Sequence, residues 1–229
     1  MLRAATASCR KRLCSEYDPT LKAGTMSDTT DQDLVEKAVM GLKEAELASK
    51  SGLPPVDKWH PERKHSIDMR IARDGSWHYQ GSEISRAKLV KLFASILIRE
   101  EDGSYHLVTP VEQAQITVED VPFVIVAMQK AGEGTQQTLA FTTSIGDVVV
   151  AGLDHALRFE LDPQTDEPAP YVHIRGDGGR ALEARINRAV YYDLVDLGTT
   201  YSVDGEDWFG VWSGNVFFKM QRAAELGVE

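Results

Sequence analysis

The sequence predicts an α+β protein made of two related, small, β-rich modules that each pack one helix. Three observations predict it. Short runs of alternating apolar and polar residues recur along the chain, separated by Asp-Gly and other glycine turns, as in hairpin-rich sheets. Two amphipathic stretches, one following Ser85 and one from about Arg185 to Leu197, carry the spacing of helices laid on a sheet. A tyrosine-led strand followed by an apolar-Glu pair occurs twice, as Tyr105-His106-Leu107-Val108 before Val111-Glu112 and as Tyr171-Val172-His173-Ile174 before Leu182-Glu183, which reads as an internal duplication.

The elements follow in order. From Asp31 to Ala48, apolar Leu34, Ala38, Val39, Leu42, Ala45 and Leu47 recur at helical spacing, and Ser51-Gly52-Leu53-Pro54-Pro55 ends that helix. Trp59, in a proline- and charge-rich linker, tacks the chain onto the next module. A strand at Asp68–Ile71 turns at Asp74-Gly75 and returns through Trp77-His78-Tyr79. Ser85 is the expected N-cap of a helix whose stripe is Leu89, Val90, Leu92, Phe93, Ile96 and Leu97, and which ends before Asp102-Gly103. Strands follow near Tyr105–Thr109, Ala114–Val118 and Phe123–Gln129, with Pro110 and Pro122 at strand ends. Past Gly132 and Gly134, strands are expected at Thr138–Thr143, Asp147–Ala151, Leu157–Leu161 and Tyr171–Arg175, the last two separated by a polar, proline-bearing loop. The second helix points Ile186, Val190, Leu194 and Leu197 inward, and Trp208–Trp212 with Val216–Phe218 form a closing hairpin around Gly214. The expected bounds are a flexible extension or miscalled start over 1–29, a helix over 30–50, modules over 51–130 and 131–222, and a tail over 223–229.

A chain of 229 residues, 42% hydrophobic, suits one large domain or two small ones, and no apolar run approaches the roughly 20 residues of a membrane span. A soluble protein is expected. The first 25 residues hold five basic side chains against two acidic ones, a net +3, which leaves −13 of the −10 total on the rest. A mitochondrial-type transit peptide and a true start at Met26 both fit that segment, the second being preferred. Both cysteines, Cys9 and Cys14, lie there, so from Met26 onward the chain has no thiol for a disulfide or zinc knuckle, and a reducing, cytoplasmic setting is expected. The acidic core argues against broad binding to nucleic acid or to an anionic membrane.

Arginines are the leading site candidates: Arg70, Arg86, Arg175, Arg185 and Arg188 stand at strand ends or helix starts, and a planar five-donor head suits phosphate or carboxylate. A helix beginning near Arg185 would also aim backbone N–H groups at an anion. The competing reading pairs these arginines with Asp68, Glu112, Glu119 and Glu183 to tie the modules together. Trp77, Tyr79, Trp212 and Phe217 are either a stacking platform for a base or core. Glu112, Glu119, Asp120 and Glu183 include no spacing that marks an acid and base, and structural ion pairs are the expectation. Histidines 60, 65, 78, 106, 155 and 173 show no metal-ligand spacing, Ser213 lies outside any nucleophile elbow, and Gly176-Asp177-Gly178-Gly179 lacks the Lys-Ser/Thr of a phosphate loop. No catalytic residue, metal or cofactor is assigned.

The ordered motifs IDMRI, DGSWHYQG, LFASIL, DGSYHLVTPVE, VEDVPF, TTSIGD, PYVHIR, LEARINRAVYYDL and GVWSGNVFF, spanning about Leu53 to Met220, resemble the bacterial domain-of-unknown-function 1285 family. The resemblance implies a two-domain α+β fold whose C-terminal part is pleckstrin-homology-like, and no established activity. It leans toward ligand binding at the domain interface, a nucleotide or nucleic-acid-like ligand in a signalling role. The chain departs from the pattern at residues 176–179, which lengthen the turn before LEARI and bear on how Arg175 sits relative to Arg185, and at Ser144, where Asn is expected. The expected function is a non-enzymatic protein clamping an anionic, nucleotide-like ligand between its modules. The alternatives are a protein-interaction adaptor using the pleckstrin-like module and a hydrolase with Glu112 or Glu183 as acid or base.

Overall fold

A computed structural model describes residues 52–163 and 165–225. The expected N-terminal helix, the basic first segment with both cysteines and the last four residues lie outside the described residues. The described chain forms two six-stranded sheets, each with one packed helix, and a smaller three-stranded sheet.

The first sheet contains β1 (Arg63–Ile71), β2 (Trp77–Tyr79), β3 (Ser82–Glu83), β4 (Leu97–Arg99), β5 (Tyr105–Val108) and β6 (Glu112–Val118), in the spatial order β3-β2-β1-β6-β5-β4. The second contains β7 (Phe123–Ala131), β8 (Thr138–Thr143), β9 (Val148–Val150), β10 (Leu157–Leu161), β11 (Pro168–Arg175) and β12 (Leu182–Ile186), in the order β10-β11-β12-β7-β8-β9. Counted from its own first strand, each sheet reads 3-2-1-6-5-4. In both, the first and last strands pair in parallel at the centre and all other pairs are antiparallel. The echo seen in the sequence falls on equivalent strands, β5–β6 and β11–β12. It extends to side chains: Arg99 lies opposite Tyr105 and over its ring at 5.6 Å, and Arg158 lies opposite Tyr171 and over its ring at 4.2 Å. The modules are two copies of one sheet plan.

Helix α1 (Ala87–Ser95) and helix α2 (Arg188–Val195) sit at different points of that plan, between β3 and β4 in one copy and after β12 in the other. Four expectations change. The N-cap of α1 is Arg86 rather than Ser85, and no side chain caps that end. Leu97, placed by periodicity in the helix, begins β4 and pairs with Leu107; the unbroken apolar run Ile96-Leu97-Ile98 suits a buried strand as well as a helix. Arg185 and Ile186 lie in β12, and α2 begins only after Asn187, whose side chain accepts from the Val190 N–H. The strand starting at Phe123, assigned from sequence to the first module, pairs with β12 and β8 in the second sheet.

One large hydrophobic core crosses both modules. Met69, Ile71, Trp77, Phe93 and Leu97 from the first and Phe123, Ile125, Leu139, Phe141 and Leu194 from the second are all buried within it. Val56 and Trp59 pack on its edge, so the linker tryptophan joins the entering chain to this shared core. At roughly 1.5–3 kcal/mol for each large apolar side chain removed from water, this shared core is what makes the modules one body.

The third sheet, β13 (Thr199–Val203), β14 (Glu206–Ser213) and β15 (Val216–Arg222), enlarges the expected closing hairpin by a strand. Buried Ser213 anchors it to the second sheet: its hydroxyl donates to the Ala151 carbonyl at 2.7 Å and accepts from the Leu139 N–H at 2.9 Å. Tyr201, Trp212 and Phe217 gather on one of its faces with ring centroids 5.0–5.2 Å apart. Gly210 makes room for them, since a Cβ there would lie 2.2 Å from the Phe218 carbonyl oxygen and 2.7 Å from Phe217 Cζ. Gly210→Ala is therefore expected to cost about 3 kcal/mol or more. Urea unfolding followed by tryptophan fluorescence checks it, with a loss below 0.5 kcal/mol contradicting the packing described.

Candidate functional site

The polar chemistry of the described chain concentrates along the seam between the modules. Asp162, in the loop after β10, is 3% exposed, and a carboxylate at that depth requires cationic or hydrogen-bonded partners. Arg73 of the first module binds it from one side, and Arg185 of β12 approaches it at 3.4 Å. Arg185 also donates to Asp120 at 2.7 Å, and the Tyr171 hydroxyl donates to the same carboxylate at 3.0 Å. Burial alone would lower the Arg185 pKa, but its bond to Asp120, together with the charges and bonds of Tyr171, Asp120 and Asp162, holds the group above its ordinary value. Burial, with Asp120 alongside, pushes the Tyr171 phenol up to about 12.

Arg175 makes a second seam. Its guanidinium donates to the Ala94 carbonyl and lies 3.4 Å from the Leu97 carbonyl, so a cation from the second module caps the C-terminal end of α1 in the first. It also lies over the Phe123 ring at 5.4 Å, and burial depresses its pKa. Arg99 of β4 reaches back toward the Ala181 carbonyl at 3.5 Å. Gly176 allows the turn after Arg175: its φ is +82°, and a Cβ there would meet the Arg180 carbonyl oxygen at 2.5 Å.

The candidates named from sequence are accordingly dispersed. Arg70 pairs with Glu119, which also accepts from the Arg73 N–H at 3.0 Å; these two donors, the backbone one leading, hold the Glu119 carboxyl below its ordinary range. Glu112 pairs with Arg63 at 3.5 Å, and Glu183 accepts two bonds from Arg158, at 2.7 and 3.0 Å. Asp68 is exposed on β1. Arg188 donates to the Tyr192 hydroxyl one turn along α2 at 2.8 Å. Arg86 is exposed, with no side-chain partner among the described residues. Trp77 is 2% exposed and stacks on Phe93, while Trp212 and Phe217 join Tyr201 on the third sheet, so the four aromatics do not form one platform. Arg175 and Arg185 diverge, one toward α1 and the other toward Asp120 and Asp162.

Two features resemble reactive sites. In each Asp-Gly turn of the first module, a serine hydroxyl donates to the turn aspartate at 2.6 Å and lies 3.0 Å (Ser76 to His78) or 2.8 Å (Ser104 to His106) from a histidine Nε2. The hydroxyl has one proton and gives it to the carboxylate, so histidine Nε2–H donates to serine. Activation of serine requires the reverse. The bonds from Ser76 and Ser104 lower the Asp74 and Asp102 pKa values and lock the turns. Beside Arg175, an open cleft of about 600 Å³ is lined by His155, His173 and the Gly176–Gly178 turn. Both His173 ring nitrogens face backbone carbonyls, of Asp154 at 2.8 Å and Gly176 at 2.6 Å, and His155 Nδ1 faces the His173 carbonyl at 3.0 Å. Among the described residues, no group of three or more His, Cys, Asp or Glu has the arrangement of a metal site.

The seam network predicts strong coupling. Arg185→Met should destabilise the protein by about 3 kcal/mol, because it leaves Asp162 and Asp120 short of a cation. Combining it with Asp162→Asn should recover more than about 1 kcal/mol of the summed single losses in a urea double-mutant cycle; strict additivity would contradict the network. Tyr171 gives a pH signature. Its raised folded pKa means that its contribution to stability is whole below pH 10 and is lost as pH rises from 10 through about 12. Ultraviolet titration of the folded protein should show a tyrosine ionising near 12 that Tyr171→Phe removes, and its persistence in that variant would contradict the assignment.

Comparison with known proteins agrees with this division at the seam. A model described as "Domain of unknown function (DUF1285), N-terminal domain" matches residues 54–121, and one described as "Protein of unknown function (DUF1285), C-terminal domain" matches residues 122–220, a boundary between β6 and β7. A crystal structure of a DUF1285 family protein from Silicibacter pomeroyi is 48% identical over 82% of this chain and 98% of its own, with a TM-score of 0.70. One from Shewanella baltica is 32% identical over 56% of this chain and 90% of its own, with a TM-score of 0.44. No curated protein matches. With both halves of the two-sheet plan covered in order, the chain belongs to the DUF1285 family.

Proposed function

We propose that this protein is a non-enzymatic interaction adaptor, a rigid two-module body that offers an outer surface to a partner. The observation that supports the reading most is the engagement of the seam cations. Arg73, Arg175 and Arg185 bond groups of the protein's own chain across the module boundary, and a ligand phosphate would have to displace a buried carboxylate or uncap a helix to reach them. The serine-aspartate-histidine turns run their hydrogen bonds in the sense that leaves serine unactivated, which favours a binding role over hydrolysis. No helix among the described residues is long and apolar enough to cross a membrane. The second module, for which the resemblance implies a pleckstrin-homology-like outline, carries the additional sheet and is the natural site of contact.

A nucleotide-like ligand is the second reading, and the cleft beside Arg175 favours it, being lined by His155, His173 and the Gly176–Gly178 turn. A thermal-shift panel of mono-, di- and cyclic nucleotides at millimolar concentration on the full chain separates the two. The adaptor reading predicts shifts below about 1 °C. A rise of several degrees that Arg175→Met or His155→Ala abolishes would replace it with the nucleotide reading.

A further inference from the structure

The outer edge of β13 departs from the way the other sheet edges are protected. An exposed edge strand offers a row of unpaired N–H and C=O groups, and proteins blunt such rows with charge, brevity or a covering element. Here β3 has two residues and carries Glu83, β10 carries Arg158 and Glu160, and β15 carries Lys219 and Arg222. In β4, Leu97 is buried and Arg99 reaches across the seam, and β9 is only three residues long. β13 is five residues, Thr-Thr-Tyr-Ser-Val, without charge or proline, and its first four residues are exposed. It pairs with β14 on one side and with no strand on the other among the described residues.

Side chains around that edge add shape and sign. Tyr201 is 46% exposed while its ring packs on Trp212 and Phe217, so a rigid aromatic shelf stands beside the free backbone. Both ends of the strand are acidic. Asp193 and Asp196 precede it, Asp204 and Glu206 follow it, and Asp207 lies opposite Ser202; all five are exposed, and Arg222 pairs with Glu206 at 3.6 Å.

Resting on the adaptor reading, we propose that β13 is a strand-addition site for an extended segment of another protein, uncharged at its centre and lysine- or arginine-rich at its ends. Backbone hydrogen bonds supply the pairing, Tyr201 supplies a side-chain contact, and the acidic ends supply selectivity and attraction over a Debye length of about 8 Å. The charge pattern disfavours a second copy as occupant. Antiparallel self-pairing centred on Tyr201 sets Asp196 against Glu206 of the other copy, and parallel pairing sets like ends together.

The test uses the full chain and three fluorescent nine-residue peptides: a Thr-Val-Thr-Val-Thr centre flanked by two lysines at each end, the same centre flanked by glutamates, and the lysine form with proline at the middle position. Anisotropy should show the lysine peptide binding at least tenfold more tightly than either control, and amide exchange should slow selectively at the Thr199–Val203 amides that face away from β14. Thr200→Lys, which places a blocking cation on an exposed edge position, should weaken binding at least tenfold with an unchanged melting temperature. Asp196→Asn with Asp207→Asn should weaken it and flatten its salt dependence. Equal binding of the glutamate or proline peptide, protection elsewhere, or no binding at millimolar peptide overturns the proposal. So does protection, before peptide is added, of those Thr199–Val203 amides that face away from β14: if it rises with protein concentration the occupant is a second copy, and if it does not the occupant is another segment of this chain. A protein partner that binds while β13 amides stay unprotected sinks this site but leaves the adaptor reading standing.

Discussion

Asp162 has almost no contact with water, and the cost of leaving such a carboxylate unpaired, several kcal/mol, constrains everything around it. Its cations come from both modules, Arg73 from the turn after β1 and Arg185 from the central strand of the second sheet. Neither module can satisfy the group in this way alone. Arg185 in turn fixes Asp120, near the end of the first module, and Asp120 fixes Tyr171. One buried negative charge thereby organises the joint between two copies of the same sheet.

The Arg175 cap works by a different kind of electrostatics. A helix C-terminus carries exposed carbonyl dipoles, and at the end of α1 a guanidinium from the second module donates to the Ala94 carbonyl. With the shared core beneath, the seam has apolar burial, ion pairing and helix capping acting in the same direction. The third sheet is tied to the second by the two Ser213 hydrogen bonds, so the same chain of contacts continues from the seam to β14.

Much of this was legible in the sequence, and the misses have identifiable causes. The Asp-Gly hairpins, both helices and the duplication were readable because turn chemistry and periodicity are local. Leu97 was misassigned because its unbroken apolar run suits a buried strand as well as a helix, and β7 because the chain alone does not say that Phe123 pairs with Ala184, 61 positions away. Arg185 was recognised, but its partner Asp162 sits in a stretch that reads only as a polar, proline-bearing loop. β13 was missed because its alternation is limited to two apolar side chains, Tyr201 and Val203, in a short run of hydroxyl residues that also reads as a loop.

The central claim is that the seam makes the two modules one cooperative unit. Scanning calorimetry of the full chain, paired with site-resolved amide exchange, tests it most directly. The account predicts a single transition with equal calorimetric and van't Hoff enthalpies, and the same opening free energy for core amides of β1 and β7. Two separated transitions, or one sheet exchanging well before the other, would contradict it.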